Sequence, residues 1–384
     1  MSEPLVAPAG LKNVIVTDTE IGDVRGEEGY FHYRGYDATR LAAEVSFEDA
    51  WHLMMFGALP SPSEGASFAR RIATLRPIPG SIVDLLRATV APGSDPMHAL
   101  RLALAALGAG DRPLMDLPVA DRIEAALRYA AATPTVLATA HRLARGEAPP
   151  EPDPSAGHAA DYLRMATGNS APDDAAALQT YLVATIDHGF NASTFAGRVI
   201  ASTGSDMASC LLGALGAFLG PLHGGAPSRA LAALDDIGDP ANTRTWVREQ
   251  ISRGEVIMGF GHAVYRTHDP RSELLKSVVR EYDSPLVRQA MTVEHEIESA
   301  INELKPGRRL YANVEYYAGV LMSEVGLPPD MFTPTFGVAR VVGWTANVLE
   351  QVHQGKIIRP SARYVGPRHA TPRLRTLPHS RTAH

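Results

Sequence analysis

The chain has 384 residues, 45% of them hydrophobic, a formal net charge of −6 and one cysteine. That length supports a large core and two or three domains, and an acidic balance with no sustained Lys/Arg run gives no electrostatic footprint for nucleic acid. The lone Cys210 excludes an intramolecular disulfide framework and fits a reducing compartment. Met1 to Gly10 lacks a basic n-region and a long apolar h-region, and no stretch reaches about 18 uninterrupted apolar residues. A cytoplasmic protein with no membrane partner is expected. Aromatics make up only 7%, Ala and Leu are abundant and β-branched runs are scarce, so propensity predicts an all-α protein.

In chain order, residues 11–36 alternate Val, Ile and Thr with charged residues before Gly26, Gly29 and Gly35, which predicts a minor β element. From Ser46 the pattern becomes helical. Glu48 and Asp49 occupy an acidic first turn behind a plausible cap, and Trp51, Met54, Met55 and Leu59 follow at helical spacing. Similar segments cover 62–75, 96–108, 119–146, 157–167 and 173–203, separated by Pro- or Gly-bearing loops. Met207 to Leu219 is apolar all round, so a helix there must be buried in the core or between subunits. Its glycines do not form GxGxxG, and no strand or acidic residue stands where a dinucleotide fold needs them. The chain becomes more charged and better punctuated from about 226 to 312, which marks a domain boundary. The Pro-, Arg- and His-rich stretch from Pro367 to His384 is expected to be disordered.

Three polar knots interrupt this helical pattern: Gly220-Pro221-Leu222-His223-Gly224-Gly225, Gly259-Phe260-Gly261-His262 and Asn313-Val314-Glu315. His and Glu move protons near neutral pH, and glycines allow close backbone approach. His223 precedes Pro227, a suitable first helical residue, so a helix dipole would keep its imidazole neutral. A loop histidine satisfied by backbone is the alternative. His262 is followed by Arg266 and Arg271, and guanidinium groups there suit an anionic ligand. A solvated basic turn would read the same way. Glu315 enters an apolar segment, where burial would raise its pKa toward that of a useful base. A surface Glu at a helix start is the plainer reading. His188, in DHGFNASTF, is another glycine-flanked polar position, and Arg340 and Arg359 add cations in apolar or Pro-flanked contexts. No HExxH or close ligand pair exists, so no metal is expected.

These residues carry a resemblance. GPLHGGA (220–226), GFGHAVYRTHDPR (259–271), DHGFNASTF (187–195), MFTPTFGVARVVGW (331–344) and IIRPSARYVGP (357–367) resemble the signatures of the citrate synthase family, in order and over residues 10 to 367. Tyr33-Arg34-Gly35-Tyr36-Asp37 is similar to its short bacterial and archaeal branch. The resemblance implies a two-domain helical fold. Both chain ends (1–223 and 321–366) would build a large domain, and 224–320 an inserted small domain on the CoA side of the cleft. It also implies a homodimer without a permanent cofactor.

The implied reaction condenses acetyl-CoA with oxaloacetate and hydrolyses the thioester to citrate and CoA. The resemblance assigns Glu315 as base, His223 as hydrogen-bond donor to the thioester oxygen and His262 as the group polarising the oxaloacetate carbonyl. His188, Arg271 and Arg340 match positions for the oxaloacetate carboxylates. Arg359 matches one reaching the partner subunit's site. Arg266 matches a cation for CoA phosphate, with Lys305 and Arg308 of KPGRR placed beside it by location. One departure stands out. The family's usual base is Asp in NVD, and this chain has NVE, as do some second citrate synthases of actinobacteria. An extra methylene moves the carboxylate by about 1 Å, a displacement that can cost about 100-fold unless the pocket adapts. Propionyl-CoA as substrate, giving 2-methylcitrate, and a weak acyl-CoA-binding paralogue are the alternatives.

Overall fold

The computed structural model describes residues 5–220, 223, 227–262, 264–305 and 309–366. Arg308 and the stretch 367–384 lie outside the described residues.

An antiparallel meander begins the fold, β1 (Gly22–Arg25), β2 (Tyr30–Tyr33) and β3 (Tyr36–Asp37), with Gly22 opposite Tyr33 and Tyr33 opposite Tyr36. Alternation along β2 buries Phe31 and Tyr33. The Tyr33 hydroxyl meets the carbonyls of Val183 at 3.0 Å and Asp187 at 3.1 Å, anchoring the sheet to the helical body.

Sixteen α-helices follow among the described residues. The first group comprises α1 (Ala38–Glu44), α2 (Phe47–Phe56), α3 (Pro62–Leu75), α4 (Gly80–Thr89), α5 (Pro96–Leu107), α6 (Val119–Ala144), α7 (His158–Thr167) and α8 (Pro172–Ala184). Then come α9 (Ala192–Ala201), α10 (Met207–Phe218), α11 (Pro227–Ile237), α12 (Thr243–Arg253), α13 (Pro270–Val279), α14 (Pro285–Leu304), α15 (Val314–Glu324) and α16 (Phe332–Gln354). Their starts obey capping chemistry. Ser46 caps α2, Ser61 and Glu64 form a capping box on α3, and Asp269 caps α13 with Pro270 in its first turn. The all-α expectation holds, with the small sheet placed within the predicted β region. Among the described residues no helix is long and apolar enough to cross a membrane.

Two local expectations are corrected. The apolar run 173–203 is two helices, because Asp187 and Asn191 bind the amides of Gly189 and Thr194, each at 3.0 Å, and take the backbone out of the helical ladder. Helix α4, absent from the sequence reading, buries Ile82 and Leu86, one turn apart.

Helix α16 is the spine of the molecule. Every residue from Pro334 to Val348 is buried, the profile of a helix surrounded by others, and it packs against α2, α5, α6, α8, α9, α10 and α11. Helix α10, also predicted buried, lies on α9 and α5, and its Cys210 is buried and free. Helices α11, α12, α14 and α15 pack on one another, while α13 and α15 also touch α8.

Candidate active site

Four segments converge on one cleft. The 185–191 loop between α8 and α9 supplies His188, the 259–271 segment supplies His262 and Arg271, the start of α15 supplies Glu315, and α16 supplies Arg340. Gly343 on α16 allows this convergence, since a Cβ there would lie 2.1 Å from the Ile186 carbonyl oxygen.

The His262 and Glu315 segments are stitched together by backbone. Phe260 and Ala312 form an antiparallel bridge, Gly261 N donates to Tyr311 O at 2.8 Å, and Asn313 N donates to Gly259 O at 2.8 Å. Gly259 and Gly261 hold φ of +81° and +82°, which only glycine adopts freely. Asn313 completes the link: its Nδ2 donates to Gly261 O at 2.9 Å and its Oδ1 accepts from Glu315 N at 3.0 Å, capping α15. The base candidate is thus fixed relative to the histidine by hydrogen bonds at both strands of one bridge.

His262 has a defined tautomer. Its Nδ1 accepts from the amides of Val264 at 3.0 Å and Tyr265 at 3.1 Å, so Nε2 carries the proton. Burial, with Arg271 second, pushes its pKa down to about 4, so the ring is neutral. Nη2 of Arg271 lies 3.2 Å from that Nε2. Two N–H donors therefore face one another, an arrangement relieved by an oxygen bound to both.

Arg271 and Arg340 are 3% and 2% exposed. Arg271 is gripped by Asp269, Nε to Oδ1 at 3.0 Å and Nη2 to Oδ2 at 2.8 Å. Burial pushes the Asp269 carboxyl up, but Arg271 outweighs it and holds the pKa below the usual range. Arg340 differs. It donates from Nε to Thr185 O at 3.0 Å and lies over the Phe336 ring at 4.6 Å, with no carboxylate within ion-pairing distance among the described residues. Burial lowers its pKa, and Asp187 is the main opposing charge. A buried guanidinium left without an anion is costly unless a ligand supplies one.

His188 is half-buried, with Nε2 3.0 Å from the Tyr265 hydroxyl and its ring edge-on to His262 at 5.4 Å. Burial, then Arg271, pushes its pKa well below the usual imidazole range. His223 sits 2.9 Å from the Ser193 hydroxyl through Nε2 and edge-on to Phe218. Burial and then Arg340 push it down to about 4. The neutral imidazole expected from sequence is present, with burial as its leading cause. Glu315 is the counterpart: its Oε2 is shut off from solvent without a hydrogen-bond partner among the described residues, and burial pushes its pKa up to about 7 despite Arg271 and Arg340.

The remaining sequence candidates lie around this cluster. Arg266 is exposed and shares with His262 a cavity of about 270 Å³. Lys305 lines an adjoining cavity of about 470 Å³ with Ile257, Phe260, Ile301 and Leu310. Arg359 stands apart, exposed on the extended stretch after α16. Sequence reasoning gave no role to Asp269, Ser193 or Trp344. Asp269 had a signal, as an Asp directly before a Pro that opens a helix.

Residues 10–361 match the family described as citrate synthase, C-terminal domain. The chain is 37% identical to a citrate synthase of Haloferax volcanii over 367 residues, covering 93% of this chain and 95% of that one. It is also 37% identical to a 2-methylcitrate synthase of Mycobacterium tuberculosis over 359 residues, 93% and 90% of the two chains. Its fold is similar to a citrate synthase of Thermoplasma acidophilum solved in ternary complex with carboxymethyl coenzyme A and oxaloacetate, at a TM-score of 0.87 and 29% identity over 94% and 97% of the chains.

Proposed function

The chain belongs to the citrate synthase family and is an enzyme of the transferase class, and we propose that it joins the methyl carbon of acetyl-CoA to the keto carbon of oxaloacetate, then hydrolyses the thioester to citrate and CoA. One observation carries this reading. A shielded carboxyl with a pKa of about 7, Glu315, shares a cleft with two neutral histidines and two buried guanidiniums.

Each role follows from that chemistry. Arg271, Arg340 and His188 bind the oxaloacetate carboxylates, giving Arg340 the anion it lacks. His262 donates from Nε2 to the keto oxygen, aided by the adjacent Arg271 nitrogen, and supplies the proton for the new hydroxyl. Glu315 takes a proton from the acyl methyl while His223 donates to the thioester oxygen, so that charge develops against a fixed donor. The carbon–carbon bond forms at the polarised keto carbon. Water then cleaves the thioester, releasing CoA thiol and leaving a carboxylate. Acetyl-CoA is a co-substrate, and no permanently bound cofactor takes part. The two cavities beside His262 take the rest of CoA, with Arg266 and Lys305 facing its phosphates.

The mutual packing of α11, α12, α14 and α15 supports a small domain over 224–320 against a large domain of 1–223 and 321–366, with a cleft that closes on substrate. In a homodimer, exposed Arg359 reaches the partner subunit's cleft. Both substrates are water-soluble, and a cytoplasmic setting fits them. Equal identity to a 2-methylcitrate synthase favours propionyl-CoA as the second reading. Release of CoA thiol from acetyl- and propionyl-CoA, compared as kcat/KM, tests the choice, because one methylene discriminates by about 10- to 200-fold. Preference for acetyl-CoA supports the first reading, preference for propionyl-CoA the second, and absence of both activities contradicts the proposal.

A further inference from the structure

The β1–β2 hairpin lies against the cleft, although none of its residues has a part in the proposed reaction. Phe31 on β2 is buried, with its ring 5.7 Å from that of His188 and 6.0 Å from the Arg271 guanidinium carbon. Val24 on β1 faces Gly189, where a Cβ would meet it at 3.3 Å. The turn that closes the hairpin, 26–29, rests on the segment after His262. The Arg266 amide donates to the Gly26 carbonyl at 3.0 Å, and a Cβ on Gly29 would lie 2.8 Å from Thr267 Cγ2.

Three consecutive amides of that segment divide their bonds between the histidine and the hairpin. Those of Val264 and Tyr265 donate to His262 Nδ1 at 3.0 and 3.1 Å, and that of Arg266 to Gly26 O. The Tyr265 N–H and the Val264 C=O belong to one planar trans peptide, so they point to opposite sides of it. The N–H faces the imidazole. The C=O faces Gly26 so closely that a Cβ there would lie 2.2 Å from the oxygen and 2.8 Å from the carbonyl carbon. One peptide is thus held between the hairpin turn and the His262 ring. A side chain at 26 would stand about 1 Å inside ordinary van der Waals contact and must displace that peptide, because the hairpin is pinned by its ladder and by buried Phe31 and Tyr33.

We propose that Gly26 is a positioning residue for the reaction: its bare backbone seats the 264–266 turn on the hairpin, and the seated turn fixes the tautomer and orientation of His262. The proposal rests on His262 being the donor to the keto oxygen of oxaloacetate. Without the two amides, Nδ1 would be free to take the proton. Nε2 would then present a lone pair to the keto oxygen and oppose the polarisation it should supply. The same turn carries Tyr265, whose hydroxyl lies 3.0 Å from His188 Nε2, so its seating also sets the spacing of the two histidines.

The test replaces Gly26 by Ala in the full chain, with Gly35→Ala as its control. Gly35 has φ of +87° and nothing within 4 Å of a Cβ, so its substitution strains the same sheet without touching Val264. Gly26→Ala should lower kcat about 10- to 100-fold, the cost of a misplacement near 1 Å, while KM for acetyl-CoA stays close to wild type. The ¹⁵N shifts of His262 should move from the Nε2–H pattern toward a mixture of tautomers. Gly35→Ala should lower Tm and leave both kcat and those shifts unchanged. A second pair decides the matter if Gly26→Ala does not fold. Arg266→Ala removes the side chain and Arg266→Pro also removes the N–H that binds Gly26. Both should raise KM for acetyl-CoA, and only the Pro variant should shift the His262 pattern. The ¹⁵N readout needs no turnover, so it separates failure of this inference from failure of the proposed reaction. Wild-type kcat in Gly26→Ala, an unchanged His262 pattern in Gly26→Ala or Arg266→Pro, or an equal kcat loss in Gly35→Ala would each overturn the proposal.

Discussion

Asp269 holds Arg271 in a two-point grip, Oδ1 to Nε at 3.0 Å and Oδ2 to Nη2 at 2.8 Å, and the same Oδ2 accepts the amide of Val314 at 3.1 Å. One buried carboxylate thus ties a candidate substrate-binding cation to the turn that presents Glu315. Removing it leaves a buried guanidinium without its partner and frees the start of α15. Asp269→Ala should destabilise the protein by about 3–5 kcal/mol and raise KM for oxaloacetate. Calorimetry with steady-state kinetics checks this. Unchanged stability with unchanged KM would contradict the tie.

Arg340 predicts the opposite pattern. It is buried without a carboxylate partner among the described residues, so the unliganded fold bears its desolvation cost. Arg340→Met should leave Tm unchanged or raised while KM for oxaloacetate rises about 10- to 100-fold, the loss expected for a charge-assisted bond. Oxaloacetate should raise the wild-type Tm by mass action and fail to do so at the same concentration in the variant. A lower Tm in the variant would assign Arg340 a structural role.

The titration of Glu315 gives two pH dependences of opposite sign. A base must be ionised, so kcat/KM should fall about tenfold per pH unit below about 7. His223 and His262, at about 4, stay neutral across this range and add no limb. Stability runs the other way. A carboxyl whose folded pKa is raised from 4.5 to about 7 binds its proton more tightly when folded, so its contribution is full below 4.5 and lost as pH rises through 7. Glu315→Gln should remove that slope from the melting profile. Its persistence would mean another group titrates there.

Much of this site was legible in the sequence, and the gaps have physical causes. His223, His262 and Glu315 stood out because glycines and polar residues broke an apolar helical pattern. The division of 173–203 was missed because Asp187 and Asn191 act through local amide capture, which helical periodicity does not register. Ser193 and Trp344 meet across 151 residues of sequence, so nothing local marks them. Burial of Arg271 and Arg340 likewise depends on which helices surround them, whereas the Asp269 cap could have been read from Asp-Pro alone.

The proposed dimer makes a complementation test possible. Arg359→Ala and Glu315→Gln homodimers should both be weakly active. If Arg359 serves the partner subunit's cleft, a mixed dimer holds one site with Glu315 and Arg359 both intact. Mixing after reversible dissociation should restore up to about half of the wild-type activity per mixed dimer. Activity that never exceeds the sum of the parents would place Arg359 in its own chain's site or in none.

The most direct test of the account is turnover of acetyl-CoA with oxaloacetate by wild type and Glu315→Gln, with oxaloacetate binding measured on both. The account predicts CoA release by the wild type, a loss of about 100- to 10,000-fold in the variant, and nearly equal oxaloacetate affinity. Full activity in the variant would contradict the assignment of Glu315 as the base.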